Sequence, residues 1–283
     1  MKLLLCLAFV SFPAFSSTST DWVPKYRKAK TKNLDEGILK NKKIEIPKTD
    51  KTKTLTEIPS TKLEVLYSKQ SKDKKTHLSL LKKESLKLKQ KAVPTLIKVM
   101  KSNKFPDENR WVATYMLGRI MGHKAAPFIA KFGDHPNWMM RLASLKVLLH
   151  LNQTKYVGLY GRLLNDKSLI VRHQALQNIS EMKINKLAPH VWKMLFNKKN
   201  YVGMKGTRKR SNIIKDAIKI VGDLNFVKAK PAMLKMFKKK KYEDVYPELD
   251  YALSKLSGSQ SPDGSMAIKK HFWNRKALSE VTI

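Results

Sequence analysis

Cysteine is almost absent. The 283-residue chain holds one, Cys6, inside the short apolar run that opens the sequence. Beyond that run there is no thiol, which excludes a disulfide framework, a thiolate metal site, a cysteine nucleophile and a redox motif. Acid is scarce as well: 22 Asp and Glu stand against 58 Lys and Arg, a net charge of +36. A compact state under such self-repulsion has to be held by burying apolar surface, and the same excess draws polyanions at long range. The histidines (His77, His123, His135, His150, His173, His190, His271) are scattered, with no His-Glu-x-x-His among them, so no metal site is read. His150 and His173 sit in apolar helical surroundings and are expected to be core histidines. Gly203 and Gly206 lack the lysine and hydroxyl spacing of a phosphate loop, and there is no Gly-x-Ser-x-Gly elbow. No catalytic residue, metal, cofactor or small-molecule substrate emerges, and the chain reads as non-enzymatic.

What is present begins with an address. Lys2 precedes an apolar run from Leu3 to Phe12, and Ala14 and Ser16 put small residues ahead of a cut after Ser16. The run is too short for the roughly 20 residues of a membrane span and has the layout of a signal peptide, residues 1–16. The mature chain is therefore expected to be exported, to a periplasm or beyond the cell. Residues 17–62 read as a basic, largely disordered arm, because apolar side chains are too sparse there to offset the entropy of ordering it. In residues 63–91, Leu63, Leu66, Leu78, Leu81 and Leu88 show partial helical spacing. These suggest helices that cap the next region, with a basic amphipathic helix on a membrane surface, Lys83, Lys87 and Lys91 on one face, as the alternative.

Residues 92–258 repeat. Arg110, Arg141 and Arg172 are each followed by a small residue three positions on (Ala113, Ser144, Ala175) and an aliphatic one four further (Leu117, Leu148, Ile179), at a period of 31 residues. Ahead of each such segment lies a shorter apolar one, often opened by proline: Pro94, Pro127, Pro189, Pro231, with Gly158 midway between the second and third. Proline is tolerated in a helix's first turn, where its missing N–H has no intrahelical partner to lose. The unit is helix–turn–helix, and its second helices are expected near 110–121, 140–151, 169–182, 211–223 and 245–256. The proline openings, the turns at Asp134 to Asn137 and Asn165 to Lys167, and Val171-Arg-x-x-Ala-Leu176 resemble the HEAT-like repeat (armadillo-type) family. That resemblance implies an all-α, right-handed α-solenoid of about five helix pairs displaying a binding surface. It implies no chemistry.

In that family the matching arginine braces the turn between repeats, so Arg110, Arg141 and Arg172 are expected to be a structural ladder, with Asp107, Asp134 and Asp166 as nearby acceptors. Trp111, Trp138 and Trp192 fit packing between helices. The period breaks once, with 42 residues between Pro189 and Pro231. The excess falls in residues 197–212, an acid-free segment holding Lys198, Lys199, Lys205, Arg208, Lys209 and Arg210, and the arginine position of the repeat becomes Ile214. Lys228 to Lys241, also acid-free, ends in Lys238, Lys239, Lys240 and Lys241. Stacked one repeat apart, the two segments are expected to form one positive patch for an anionic partner: a protein, an anionic envelope polymer, a lipid surface or nucleic acid. Some HEAT-like proteins are DNA glycosylases that use tryptophans with a nearby catalytic Asp, but Trp111 is followed by Tyr115 and Trp138 by Leu142. Others are phycobilin lyases, suited to a photosynthetic cytoplasm. The reading is of an exported scaffold, monomeric, with residues 259–283 as a linker and basic tail.

Overall fold

The computed structural model describes residues 58–202 and 209–279. The expected signal peptide, most of the expected arm, and Lys205 and Arg208 lie outside the described residues. Six helix pairs follow one another: α1 (Ile58–Ser68) with α2 (Lys74–Leu88), α3 (Val93–Lys101) with α4 (Asp107–Met121), and α5 (Ala126–Lys131) with α6 (Trp138–His150). Then come α7 (Val157–Leu163) with α8 (Leu169–Glu181), α9 (Ala188–Lys193) with α10 (Asn212–Asp223), and α11 (Lys230–Phe237) with α12 (Tyr246–Ser257). A last helix, α13 (Met266–Ser279), stands alone. The second helices fall where the 31-residue register put them. Pairing starts earlier than the repeat motif does, since α1 packs on α3 and α2 on α4 as later pairs do. Helix therefore begins at Ile58, inside the segment assigned to the arm, because Leu63 and Tyr67 find a buried place against the neighbouring pair.

Prolines 94, 127, 189 and 231 each stand in the first turn of a short first helix. The second helices stack on one another, α2 to α4 to α6 to α8 and α10 to α12, through small residues at the contact. A Cβ on Gly222 would lie 2.7 Å from Ala252 Cα, so α10 and α12 meet backbone to backbone. Leu148 and Ile179, the aliphatic ends of the motif, are fully buried. Two buried polar side chains link neighbouring helices: Asn178 donates to the Leu145 carbonyl at 2.8 Å and Ser144 to that of Ile129 at 2.8 Å.

Each of the six second helices is followed by a residue of positive φ. Lys89, Gly122, Asn152, Lys183, Asn225 and Gly258 have φ between 47° and 61°, a left-handed φ that ends the helix through its backbone; Gly258, with ψ 18°, is the αL cap itself. Here α6 is closed by Asn152, α8 by Lys183 and α10 by Asn225. The chain's other end is closed by packing. Trp273 of α13 is fully buried and donates from Nε1 to Asp250 Oδ1 at 2.7 Å, while Lys269 pairs with Oδ2 at 2.9 Å. The basic tail thus docks against α11 and α12 as a cap. At the start, α2 buries Leu78 and Leu81 within the protein, while Leu80 stays exposed. Among the described residues no helix is long and apolar enough to cross a membrane.

Candidate partner-binding site

The two kinds of turn occupy two edges of the stack, and side-chain bonds show which turns are neighbours. On the edge where first helices lead into second helices, the three arginines of the motif tie each turn to the next. Arg110, 2 % exposed, reaches Asp107 at 3.2 Å, the Met100 carbonyl at 3.0 Å and His135 Nε2 at 3.0 Å. Arg141 holds Asp166 with two parallel bonds of 2.7 Å, and its other nitrogen reaches the carbonyls of His135 and Pro136. Arg172, 3 % exposed, donates to Asn200 Oδ1 at 2.8 Å and to the carbonyls of Asp166, Lys167 and Lys199 at 2.8, 3.1 and 2.7 Å. Burial holds its guanidinium below the ordinary arginine range, with Asp166 opposing that shift. The planar fork suits such multiple acceptors in a way lysine does not. Asp134, expected as a partner of the ladder, instead pairs with exposed Arg162 at 3.0 Å.

His135 completes the first of these joints. Burial, and then the Arg110 charge, push its imidazole below the ordinary histidine value. The Asn137 N–H lies 3.0 Å from its Nδ1 and the Arg110 guanidinium 3.0 Å from its Nε2; both neighbours are donors, and a neutral ring, with one acceptor nitrogen, accepts from one of them at a time.

The insertion grows from this edge. It forms a two-residue antiparallel ribbon, β1 (Tyr201–Val202) with β2 (Lys209–Arg210), Tyr201 opposite Arg210. Arg172 fixes its near end through Asn200 and Lys199. Its far end is fixed by Arg210, which donates to the Lys241 carbonyl at 3.0 Å and to Asp244 at 2.6 Å, with its guanidinium 4.7 Å from the centre of the Tyr242 ring. The brace that the sequence lost at Ile214 has therefore moved to Arg210. That residue, expected to be a free anion-binding cation, is committed to the next repeat because it stands just ahead of α10, level with the following turn. Asn200 plays for Arg172 the part that Asp166 plays for Arg141.

Those of the expected cations that fall among the described residues lie on one edge over two consecutive turns. Lys198, Lys199 and Lys209 are exposed on the insertion, Lys199 reaching back to the Asn165 carbonyl at 3.5 Å. Lys238, Lys239, Lys240 and Lys241 are exposed on the next turn, Lys241 lying 5.1 Å over Tyr242. Between α8 and α10, where the insertion interrupts the stack, an open groove of about 530 Å³ is lined by Leu169, Ile170, His173, Val202 and the start of α10. Leu169 is 42 % exposed and Val202 51 %, with Phe196 65 % exposed on the other side of the ribbon. Sequence reasoning missed this groove and its apolar lining. Its one legible signal was the acid-free insertion itself.

His173 is exposed at the groove's rim and pairs with Asp216 of α10 at 3.1 Å. His150 is exposed as well, its ring 6.1 Å from Tyr115. Neither is a core histidine, because both point from faces of α8 and α6 that no first helix covers. Among the described residues no cluster of His, Asp and Glu could hold a metal ion. Trp111, Trp138 and Trp192 are half-buried against the core.

Comparison with known proteins reaches only the architecture. No protein-family model matches the chain, and no curated protein does. A solved structure, the complex of CpcE and CpcF of phycocyanin lyase from Nostoc sp. PCC7120, aligns over 83 % of this chain and 99 % of that one, with 14 % sequence identity and a TM-score of 0.39. A likeness this loose carries neither family nor function; the all-α, HEAT-like stack of helix pairs is read from the helices and their packing themselves.

Proposed function

We propose that this protein is an exported, non-enzymatic scaffold that holds an acidic segment of a partner protein at its basic edge. The observation that carries the reading is the groove between α8 and α10. It joins exposed apolar side chains, Leu169 and Val202, to the exposed lysines 198, 199 and 209 on the same ribbon. A segment with carboxylates flanking an apolar anchor would match both parts: apolar contact supplies affinity and charge supplies steering and register. The short apolar run with Ala14 and Ser16 supports export.

A photo-crosslinking residue placed at Val202 in the living cell tests the reading. It should give a discrete adduct with an acidic protein, outside the cytoplasm, that is absent when the same residue replaces Val65 on α1. Lys198→Glu with Lys209→Glu should remove the adduct. An adduct that survives those reversals, or the same products from both positions, would refute the site. Recovery of the uncleaved chain in the cytosol would refute export.

A further inference from the structure

The edge opposite the insertion is built differently. Here second helices lead into first helices, and neighbouring turns touch: Gln90 donates to the Ile120 carbonyl at 3.4 Å, and Gln153 bonds His123 at 2.7 Å. Five consecutive turns open with a left-handed residue (89, 122, 152, 183 and 225). Each then places a lysine two or three positions later: Lys91, Lys124, Lys155, Lys186 and Lys228. All five are exposed, and among the described residues none makes an ion pair. The turn segments 89–92, 122–125, 152–156, 182–187 and 224–229 contain no Asp or Glu. On the other edge, by contrast, Asp107, Asp166 and Asp244 each neutralise an arginine.

We propose that this row of lysines is a rail for a linear polymer of phosphates. Packed helices lie roughly 8–10 Å apart, so five rungs one repeat apart extend over about 40 Å in a single file. A file of charges matches an extended anionic chain better than a flat headgroup surface, which would call for cations spread in two dimensions. The residue type fits as well. Lysine presents a compact charge on a flexible stem and can follow phosphates of any register, whereas arginine's fixed fork selects a geometry. The rail therefore reads phosphate charge and not the groups between phosphates, and it is separate from the groove between α8 and α10.

The test uses the full chain and a length series of inorganic polyphosphate, with single-stranded oligothymidylate and vesicles of phosphatidylglycerol as further arms. Affinity should rise with chain length until five rungs are covered. Lys124→Gln, Lys155→Gln and Lys186→Gln together should lower affinity at least tenfold at low salt. They should also flatten the log–log salt dependence by roughly 2, at about 0.7 per lost phosphate contact on a single chain. A control with the same charge change at exposed positions off the rail, Lys75→Gln, Lys82→Gln and Lys219→Gln, should lose less than about threefold, as diffuse attraction falls only weakly with net charge. Equal binding of polyphosphate and oligothymidylate would mean that either source of the phosphate chain serves, and a preference would name the source. Equal losses in rail and control variants, binding of triphosphate as tight as that of long chains, or binding of vesicles alone would each overturn the proposal. The Val202 adduct should be unchanged in the rail variant, so the two surfaces are judged separately.

Discussion

Arg172 is the residue on which the insertion hangs, and its replacement is the most informative single perturbation. The side chain is 3 % exposed and donates to one side-chain oxygen and three carbonyls, two of them before α8 and two within the insertion. In Arg172→Met the packing volume of the stem is kept while all four acceptors lose their donor. Hydrogen bonds to a charged group contribute about 1.5–3 kcal/mol each where they cannot be replaced. The three carbonyl contacts are only partly buried, so water recovers much of their share. Asn200, fully buried, cannot be rehydrated without moving. A net loss near 3 kcal/mol follows, about one unreplaced charged bond plus the partial loss of the others. For an ordered region of this size that is roughly 6–12 °C in Tm. Arg172→Lys should recover little, since one ammonium cannot span four acceptors. The assay is thermal melting together with amide exchange, read at 199–202 and 209–210. Exchange there should accelerate well before the rest of the array opens, because neighbouring repeats are coupled only through their shared interfaces. Arg162→Ala, which breaks an ion pair 59 % and 66 % exposed, is the contrast and should cost under about 1 kcal/mol. A Tm for Arg172→Met within about 2 °C of the parent, with the insertion's protection unchanged, would refute the brace.

Three further outcomes are expected. Gly222→Ala should destabilise the array by about 1–3 kcal/mol despite alanine's better helix propensity, because the new Cβ would meet the Ala252 backbone; an unchanged or raised Tm would show that α10 and α12 can part freely. His135, held neutral by burial and Arg110, has its folded pKa below the unfolded value near 6.5, so its stabilisation is present above that value and lost as pH falls through the folded one. Amide exchange at the α4–α6 junction should quicken as pH falls below about 6.5, and His135→Gln should abolish the step. Burial raises the Asp250 carboxyl, but bonds from Lys269, Ser261 and Trp273 outweigh it and hold the group below the ordinary Asp value. Docking of α13 should therefore be at full strength above about pH 4 and fade as pH falls further, a loss visible in exchange of α13 and missing in Asp250→Asn.

The helix array was legible because its signals are local. The arginine at a fixed period, the small residue three later and the proline in the first turn each act within one or two helical turns, and they placed every second helix from α4 to α12. Residues 58–91 were harder. Their repeat lacks the arginine, and their core holds a polar pair, Ser85 bonded to the Tyr67 hydroxyl at 2.8 Å. The site was less legible still. That cations gather at residues 197–212 and 238–241 can be counted in the sequence. That Arg210 is neutralised by Asp244, and that Leu169 and Val202 line a groove, depends on which turn the insertion leans against, and no local pattern encodes it. His150 and His173 show the same limit: apolar neighbours in sequence point to several faces of a helix, and only the stacking decides which face is covered.

The two edges differ because their turns are closed by different means, and this bears on where function can reside. Where first helices lead into second ones, closure relies on side chains. Arginines must reach acids and carbonyls of the next turn, so a cation added there tends to be captured, as Arg210 is by Asp244 and the Lys241 carbonyl. A binding surface on that edge needs extra residues, and the insertion between α9 and α10 supplies them beyond the reach of the brace. Where second helices lead into first ones, the left-handed residue closes each turn through its backbone. Of the side chains that follow, Ala92, Ala125, Ile184, Leu187 and Ala229 are buried in the core, while the lysines stay exposed and make no ion pair among the described residues, so lysine can recur there once per repeat without disturbing the stack. Exchanging the means of closure should exchange the constraint. A left-handed glycine turn engineered in place of an arginine brace would free its neighbours to vary, whereas Asn152→Val or Asn225→Val, which force a β-branched residue into φ near 50°, should destabilise by about 1–3 kcal/mol although both side chains are exposed. Melting of those two variants decides the point, and a Tm equal to the parent's would mean that the free edge is held by its side chains after all.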